Sequence, residues 1–600
     1  MTDSPLAALR AELAARNLDG FLVPLTDAHG SEYVAPYARR LEWLTGFTGS
    51  AGSAVVLREA AAIFVDGRYT LQVKDEVDPE QFAILGVPAE HPARWLHANA
   101  AAGARIGYDP WLHTPDQLAA FAAAAPAVRF IAVEPNPIDQ VWADQPARPA
   151  GRIVPHETAF AGRTVAEKLA LIAEALRTKG ADIGVVTALD SIAWAFNIRG
   201  SDVPRTPVAE AFALVRADAT ATLFVAPEKL SEDMAAHLGA DVALAPYAEF
   251  RAALAALSGR RVLLDPAAAA VAIRDALAAA GATLVAGRDP IVALKAAKSE
   301  TEAAGIRAAH RRDGLAVTRF LAWVDAEAPS GRLDELSAAA RLEAFRRQSN
   351  LLKDLSFDTI SAFGPNGAFP HYRATPRSNR RFEGNSLYLV DSGGQYPDGT
   401  TDITRVIPIG TPTPEMRDRF TRVLKGHIAL ATARFPMGTR GGQLDILARQ
   451  FLWAAGLDYA HGTGHGVGHF LSVHEGPQRI AAAAGAPGID EPLVPGMVLS
   501  NEPGFYHVGH WGIRIENLVL VVEDPREGDV EPMLAFETLT LAPIDLRLVE
   551  PALLTPAEIA WLDGYHARVR AAHLPHLAGA EAAWLEAATR PLMAGVPKAA

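Results

Sequence analysis

A chain of 600 residues, half of them hydrophobic, has apolar material for several cores, and its length implies roughly three to five domains. A formal charge of −13, with no Lys/Arg block to reverse it, excludes general affinity for nucleic acid or an anionic membrane surface. The absence of cysteine excludes disulfides, thiol catalysis and sulfur-ligated zinc.

The N-terminus, Met1 to Pro5 followed by Leu6-Ala7-Ala8-Leu9-Arg10, lacks the basic-then-apolar order of a secretory signal and reads as an amphipathic helix. No apolar stretch of about 18 residues runs without polar interruption, so no membrane span is expected and the chain reads as soluble and cytoplasmic. Gly20-Phe21-Leu22-Val23-Pro24, Ser53 to Leu57 and Ala62 to Val65 are short apolar runs that read as buried strands. Ala-rich amphipathic stretches between them give an α/β arrangement. The Pro-rich passage from Asn136-Pro137 to Pro149 reads as a linker.

A second α/β unit follows, with a helix over Thr164 to Arg177 and strands at Asp182 to Val186 and Thr222 to Val225. Both units have a long helix, a strand, and then a polar segment with an aromatic helix. That segment is Ser31 to Phe47 in the first and Asp190 to Gly200 in the second, which suggests a diverged duplication. Lys295 to Glu300 leads into a long helix to about Glu327. After Ser361, Gly, Asn, His, Asp and Pro become dense and strand patterns dominate, as expected of an α+β catalytic domain. Thr555-Pro556-Ala557-Glu558 carries the N-cap, N1 and N3 signals of a new helix, on which Trp561, Leu562 and Tyr565 read as packing residues.

Within the α+β region, Asp391, Asp402, His465, Glu502 and Glu516 sit in short, unusual local sequences. Four carboxylates and an imidazole carry about −4, which two divalent cations would neutralise; without them, the groups would repel one another in a desolvated pocket. Asp391 ends an apolar strand before Ser392-Gly393-Gly394, and Asp402 opens the strand Ile403 to Ile409 after the turn Pro397-Asp398-Gly399. Alone, each Asp reads as a turn former; on adjoining strands the two can face one site. In His461-Gly462-Thr463-Gly464-His465-Gly466-Val467-Gly468-His469, alternate glycines allow close backbone approach, and three histidines suggest metal. Glu502 is followed by Pro503-Gly504, a rigid setting for a ligand. In Ile513-Arg514-Ile515-Glu516 the alternation puts Arg514 and Glu516 on one strand face, either as an ion pair or as a metal-bridging Glu steadied by its Arg.

These five residues, in this order, resemble the ligand set of the pita-bread metallopeptidase family, which includes methionine aminopeptidase, prolidase, aminopeptidase P and creatinase. Creatinase does not keep that set. Ser31 to Pro36, Gly46 to Gly52, Asp66-Gly67-Arg68-Tyr69, Leu189 to Gly200, Phe363 to Gly367, Pro370-His371-Tyr372 and Thr555 to His566 are similar to segments of the long, three-domain aminopeptidase P branch. The resemblance implies creatinase-like α/β domains at 1–148 and 149–298, a pita-bread catalytic domain at 299–542 and a helical C-terminal extension at 543–600. It implies metal ligation by Asp391, Asp402, His465, Glu502 and Glu516, with manganese the expected ion and zinc or cobalt also suited to such donors.

It further implies attack by a metal-bridging hydroxide, Glu502 as proton acceptor, and His371 and His474 as proton-handling or orienting histidines outside the ligand set. His461 would line the substrate pocket. The implied substrates are peptides with proline second, and the implied assembly is a homodimer with no nucleic-acid or membrane partner. A scissile nitrogen that belongs to proline carries no hydrogen and must be protonated to leave, which suits a nearby histidine acid. A prolidase-like dipeptidase, a non-catalytic peptide-binding relative and a two-metal phosphoesterase are the competing readings.

Overall fold

The computed structural model describes residues 4–482 and 488–592. The first three and last eight positions of the expected N-terminal helix and C-terminal extension therefore lie outside the described residues. The chain divides into two compact units, Met1–Thr158 with Arg163–Val292, and Ala159–Gly162 with Ala293–Ala600.

In the first unit, the helix Pro5–Ala15 buries Leu6, Leu9 and Leu13 at helical spacing. A six-stranded sheet runs in the order Ala83–Gly86, Ala61–Val65, Ser53–Leu57, Gly20–Pro24, Arg105–Tyr108, Arg129–Ala132. A second sheet runs Val242–Pro246, Ala221–Val225, Ala211–Arg216, Ile183–Val186, Arg261–Leu264, Thr283–Ala286. Each has a parallel pair at either end and two antiparallel junctions inside. Identical order and polarity is the pattern a duplication leaves. The Pro-rich passage is more ordered than a linker: Asn136 caps a short helix, Pro137–Val141, whose Asp139 takes two bonds from Arg40 at 2.7 and 2.8 Å. Asn before Pro is itself a helix start, and the ion pair fixes it.

In the second unit, Ser299 and Glu302 form a capping box that starts the helix Glu300–Glu327. An antiparallel sheet orders Ile360–Phe363, Ser386–Ser392, Ile403–Ile409, and a larger one orders Arg434–Pro436, Met533–Thr538, Asn517–Glu523, Val498–Asn501, Gly464–Gly466, Glu475–Ile480. The hairpin Gly504–His507 with Trp511–Arg514 forms a third piece. Helices Pro414–Ala431 and Pro556–His573 pack Val423, Leu424, Ile428, Leu562 and Tyr565 into one core with Ile513 and Ile515. The strand expected to carry both Arg514 and Glu516 ends at Arg514; Asn517–Glu523 lies in a different sheet, separated from it by Ile515 and Glu516. There the backbone turns to other partners: Ile515 N–H donates to the Pro503 carbonyl and Glu516 N–H to that of Thr404.

Candidate metal centre

Asp391 lies opposite Thr404 in the ladder that joins Ser386–Ser392 to Ile403–Ile409, and Asp402 immediately precedes the second of those strands. The reversal that brings them together occurs at Pro397-Asp398, where the sequence signals a turn, after Gly394–Tyr396 has joined a separate small sheet. Glycine is needed at Gly393, where a Cβ would meet the Thr401 carbonyl at 1.9 Å. His465 sits on the strand Gly464–Gly466, where a Cβ on Gly464 or Gly466 would meet the Ser500 or Glu475 carbonyl at 2.0 or 2.2 Å. These glycines bring His465 against the strand that leads to Glu502.

One ligand atom from each of Asp402, His465 and Glu516 lies within 4.8 Å of the others. His465 Nε2 is 3.5 Å from both Asp402 Oδ2 and Glu502 Oε1, long for hydrogen bonds and suited to donors sharing a cation. Its Nδ1–H donates to the Gly466 carbonyl at 2.9 Å, which leaves the Nε2 lone pair facing the carboxylates. Asp391 Oδ1 and Asp402 Oδ1 are buried with no hydrogen-bond partner among the described residues. Orphaned anionic oxygens at that depth are costly unless a cation meets them, so this donor set fits divalent metal.

The electrostatics agree. Burial raises the Asp391 carboxyl, though Arg514 opposes the shift. Burial and then the neighbouring acids push Asp402 and Glu516 well above the carboxylate range. Glu502 moves the other way: burial would raise it, but His465 and His461 when protonated, and Arg514 at any pH, outweigh burial and lower it.

Arg514 departs from expectation. Its Nη2 donates to Asp391 Oδ2 at 2.6 Å, so its carboxylate partner is Asp391. It approaches Glu516 through Thr404, whose Oγ1 accepts from Arg514 Nε at 3.1 Å and donates to Glu516 Oε2 at 2.7 Å. Arg514 Nη1 also donates to the Tyr506 hydroxyl, which in turn donates to His461 Nε2; both bonds are 2.7–2.8 Å. His461 Nδ1–H donates to the Gly462 carbonyl at 2.8 Å, and burial lowers this imidazole to about 4. Both ring nitrogens are thus engaged within the protein.

His474 packs edge-on against His465, with ring centroids 4.4 Å apart. His371 is half-buried on the loop after Gly364–Ala368. Buried Glu335 anchors that loop by accepting from Phe363 N–H, Asn366 Nδ2 and the Tyr372 hydroxyl at 2.7–2.9 Å. Gly367 lies against Gly512, where a Cβ would meet the Gly367 carbonyl at 1.7 Å, so the His371 loop runs beside the Arg514 strand. Sequence reasoning missed Glu335, Thr404, Ser500 and Tyr506. Ser500 Oγ donates to Glu502 Oε1 at 3.0 Å and accepts from His465 N–H at 2.9 Å. Period two was the available signal, because Ser500 lies two residues from Glu502 and Thr404 two from Asp402.

A sequence model of metallopeptidase family M24 matches residues 304–523, and one for the C-terminal region of peptidase M24 matches 532–592. Two creatinase/prolidase N-terminal domain models match 5–141 and 144–302. The chain is 40% identical to the probable Xaa-Pro aminopeptidase P of Aspergillus clavatus, over 98% of this chain and 93% of that one. It is 41% identical to the probable Xaa-Pro aminopeptidase P of Talaromyces stipitatus, over 95% and 89%. In three dimensions it is similar to the X-prolyl aminopeptidase of Caenorhabditis elegans, a cytosolic enzyme with a di-nuclear active site. The TM-score is 0.93 at 36% identity, covering 99% of this chain and all of that one.

Proposed function

The chain belongs to metallopeptidase family M24, and from that membership we propose that it releases the first residue from peptides whose second residue is proline. The observation that carries this reading is the full-length match, through both N-terminal domains, to Xaa-Pro aminopeptidases P. Asp391, Asp402, His465, Glu502 and Glu516 would hold two divalent ions, with manganese proposed because oxygen donors dominate the set. Such ions supply Lewis acidity, making water a nucleophile near neutral pH and drawing charge from the scissile carbonyl.

The remaining work falls to the chain itself. Arg514 fixes Asp391, and Thr404 and Ser500 orient Glu516 and Glu502. Glu502, held anionic, can accept the proton of the attacking water. The departing proline nitrogen needs a proton, for which His474 beside His465 and His371 on its anchored loop are the proposed donors or orienting groups. His461, tied to Tyr506 and Gly462, would shape the pocket wall with its ring face. Domain limits at 148, 298 and 542, a homodimer and a cytoplasmic location complete the proposal. No described helix is long and apolar enough to cross a membrane.

Substrate length separates this reading from the dipeptidase alternative. A tripeptide Xaa-Pro-Yaa should be cleaved at its first bond with kcat/KM at least about tenfold above that of the dipeptide Xaa-Pro. The reverse order of rates would identify a dipeptidase.

A further inference from the structure

His427 lies on the helix Pro414–Ala431, fully buried and absent from the ligand set and the proton chemistry above. Its two ring nitrogens reach two asparagines, Asn501 and Asn517, which face each other across one ladder of the large sheet. Asn501 immediately precedes Glu502, and Asn517 immediately follows Glu516. They form the last paired rung before both glutamates leave the sheet for the metal centre.

The hydrogen bonds fix the chemistry of this contact. His427 Nδ1 faces the Asn501 carbonyl at 3.1 Å, so it carries the hydrogen. Nε2 faces Asn517 Nδ2 at 3.1 Å, so it accepts. The orientation of that amide is set independently, because Asn517 Oδ1 accepts from Arg405 Nη2 at 2.8 Å. The clamp is reciprocal: Asn501 Nδ2 donates back to the His427 carbonyl at 2.9 Å. On the far side, Arg405 Nη1 donates to the Glu516 backbone carbonyl at 2.8 Å, and Nη2 reaches the Tyr565 hydroxyl at 2.9 Å. One neutral imidazole therefore joins the backbone before one glutamate to the side chain beside the other.

We propose that His427 is a positioning residue that sets the spacing of Glu502 and Glu516 through Asn501 and Asn517, and thereby the affinity of the metal pair. This rests on the two-metal reading above. Groups that hydrogen-bond a metal's ligands directly are typically worth about 10–100-fold in affinity or activity, which bounds from above a residue that acts through the ligands' chain neighbours. A purely structural histidine would change neither quantity once the protein had folded.

The test is a manganese titration of the full-length, metal-stripped protein against a competing chelator, followed by kinetics at saturating manganese. His427→Asn retains a donor near Asn501 but cannot reach Asn517, and His427→Gln does the converse. Each should weaken manganese binding about threefold or more, and His427→Leu about tenfold or more. At saturating metal, kcat should remain low while KM stays within about twofold. If His427→Leu does not fold, the Asn and Gln variants decide by the same measures. Variants that unfold more easily yet bind manganese and turn over like the parent would overturn the positioning role. A parent protein that binds no manganese, zinc or cobalt would instead overturn the underlying metal reading.

Discussion

Asp402→Asn should abolish Xaa-Pro hydrolysis, by roughly 10³-fold or more, while making the metal-free protein more stable. The two effects share one cause. Asp402 is buried beside Asp391, Glu502 and Glu516, and one of its oxygens has no hydrogen-bond partner among the described residues. With cations bound, that oxygen is a donor the site needs. Without them ionising that carboxyl is costly, and a neutral amide of the same shape removes the cost, by on the order of 1 kcal/mol.

A pH dependence follows. In the metal-free fold the carboxyls of Asp391, Asp402 and Glu516 are raised, so above the ordinary carboxylate range the folded state binds more protons than the unfolded. Their contribution to stability is present below the unfolded value of about 4 and is lost as pH rises through the raised folded values. Glu502, which is lowered, is ionised in both states above the ordinary carboxylate range and adds no slope there. Buried histidines with lowered pKa, His461 among them, make total stability rise with pH up to about 6.5, so the effect shows in the difference between variants. In urea unfolding of metal-free protein, the advantage of the Asn variant over the parent should grow as pH rises from about 5 to 8. An Asn variant that is less stable than the parent would count against the electrostatic account.

Replacing Arg514 with methionine should cost about 3–5 kcal/mol in the metal-free protein at neutral pH. The guanidinium and Asp391 are both buried, and removing the cation strands the carboxylate. Arg514 also serves Thr404 and Tyr506, so its loss frees the groups that orient Glu516 and His461. Lysine should rescue only part of this, since a single ammonium cannot span three partners in the fork geometry of arginine. Bound manganese should shrink the deficit by supplying positive charge to Asp391. Equal losses with and without metal would argue that Arg514 acts by packing alone.

Much of this architecture was legible because its signals are local. The runs Gly20–Pro24, Ser53–Leu57 and Ile403–Ile409 are apolar strands bounded by turn residues, and Thr555 with Glu558 is a capping box. The candidate carboxylates stood out by their order and spacing together, since each alone reads as a turn former or a surface ion pair. Less local features escaped. Alternation from Ile513 to Glu516 carries on past Arg514, where the strand ends, because Pro503 and Thr404, remote in sequence, take the backbone bonds at Ile515 and Glu516. Thr404, Ser500 and Tyr506 are ordinary polar strand residues until the tertiary fold reveals what their hydroxyls reach. Tyr565 reads as packing from its helical spacing, yet its hydroxyl meets the buried Arg405.

The most direct measurement is release of the first residue from an Xaa-Pro-Yaa peptide by metal-stripped protein as manganese is added back. The account predicts no cleavage without metal, and activity that rises until two ions are bound per chain and then stays level. Cleavage by the stripped protein, or failure of manganese, zinc and cobalt alike to restore it, would contradict the two-metal site built from Asp391, Asp402, His465, Glu502 and Glu516.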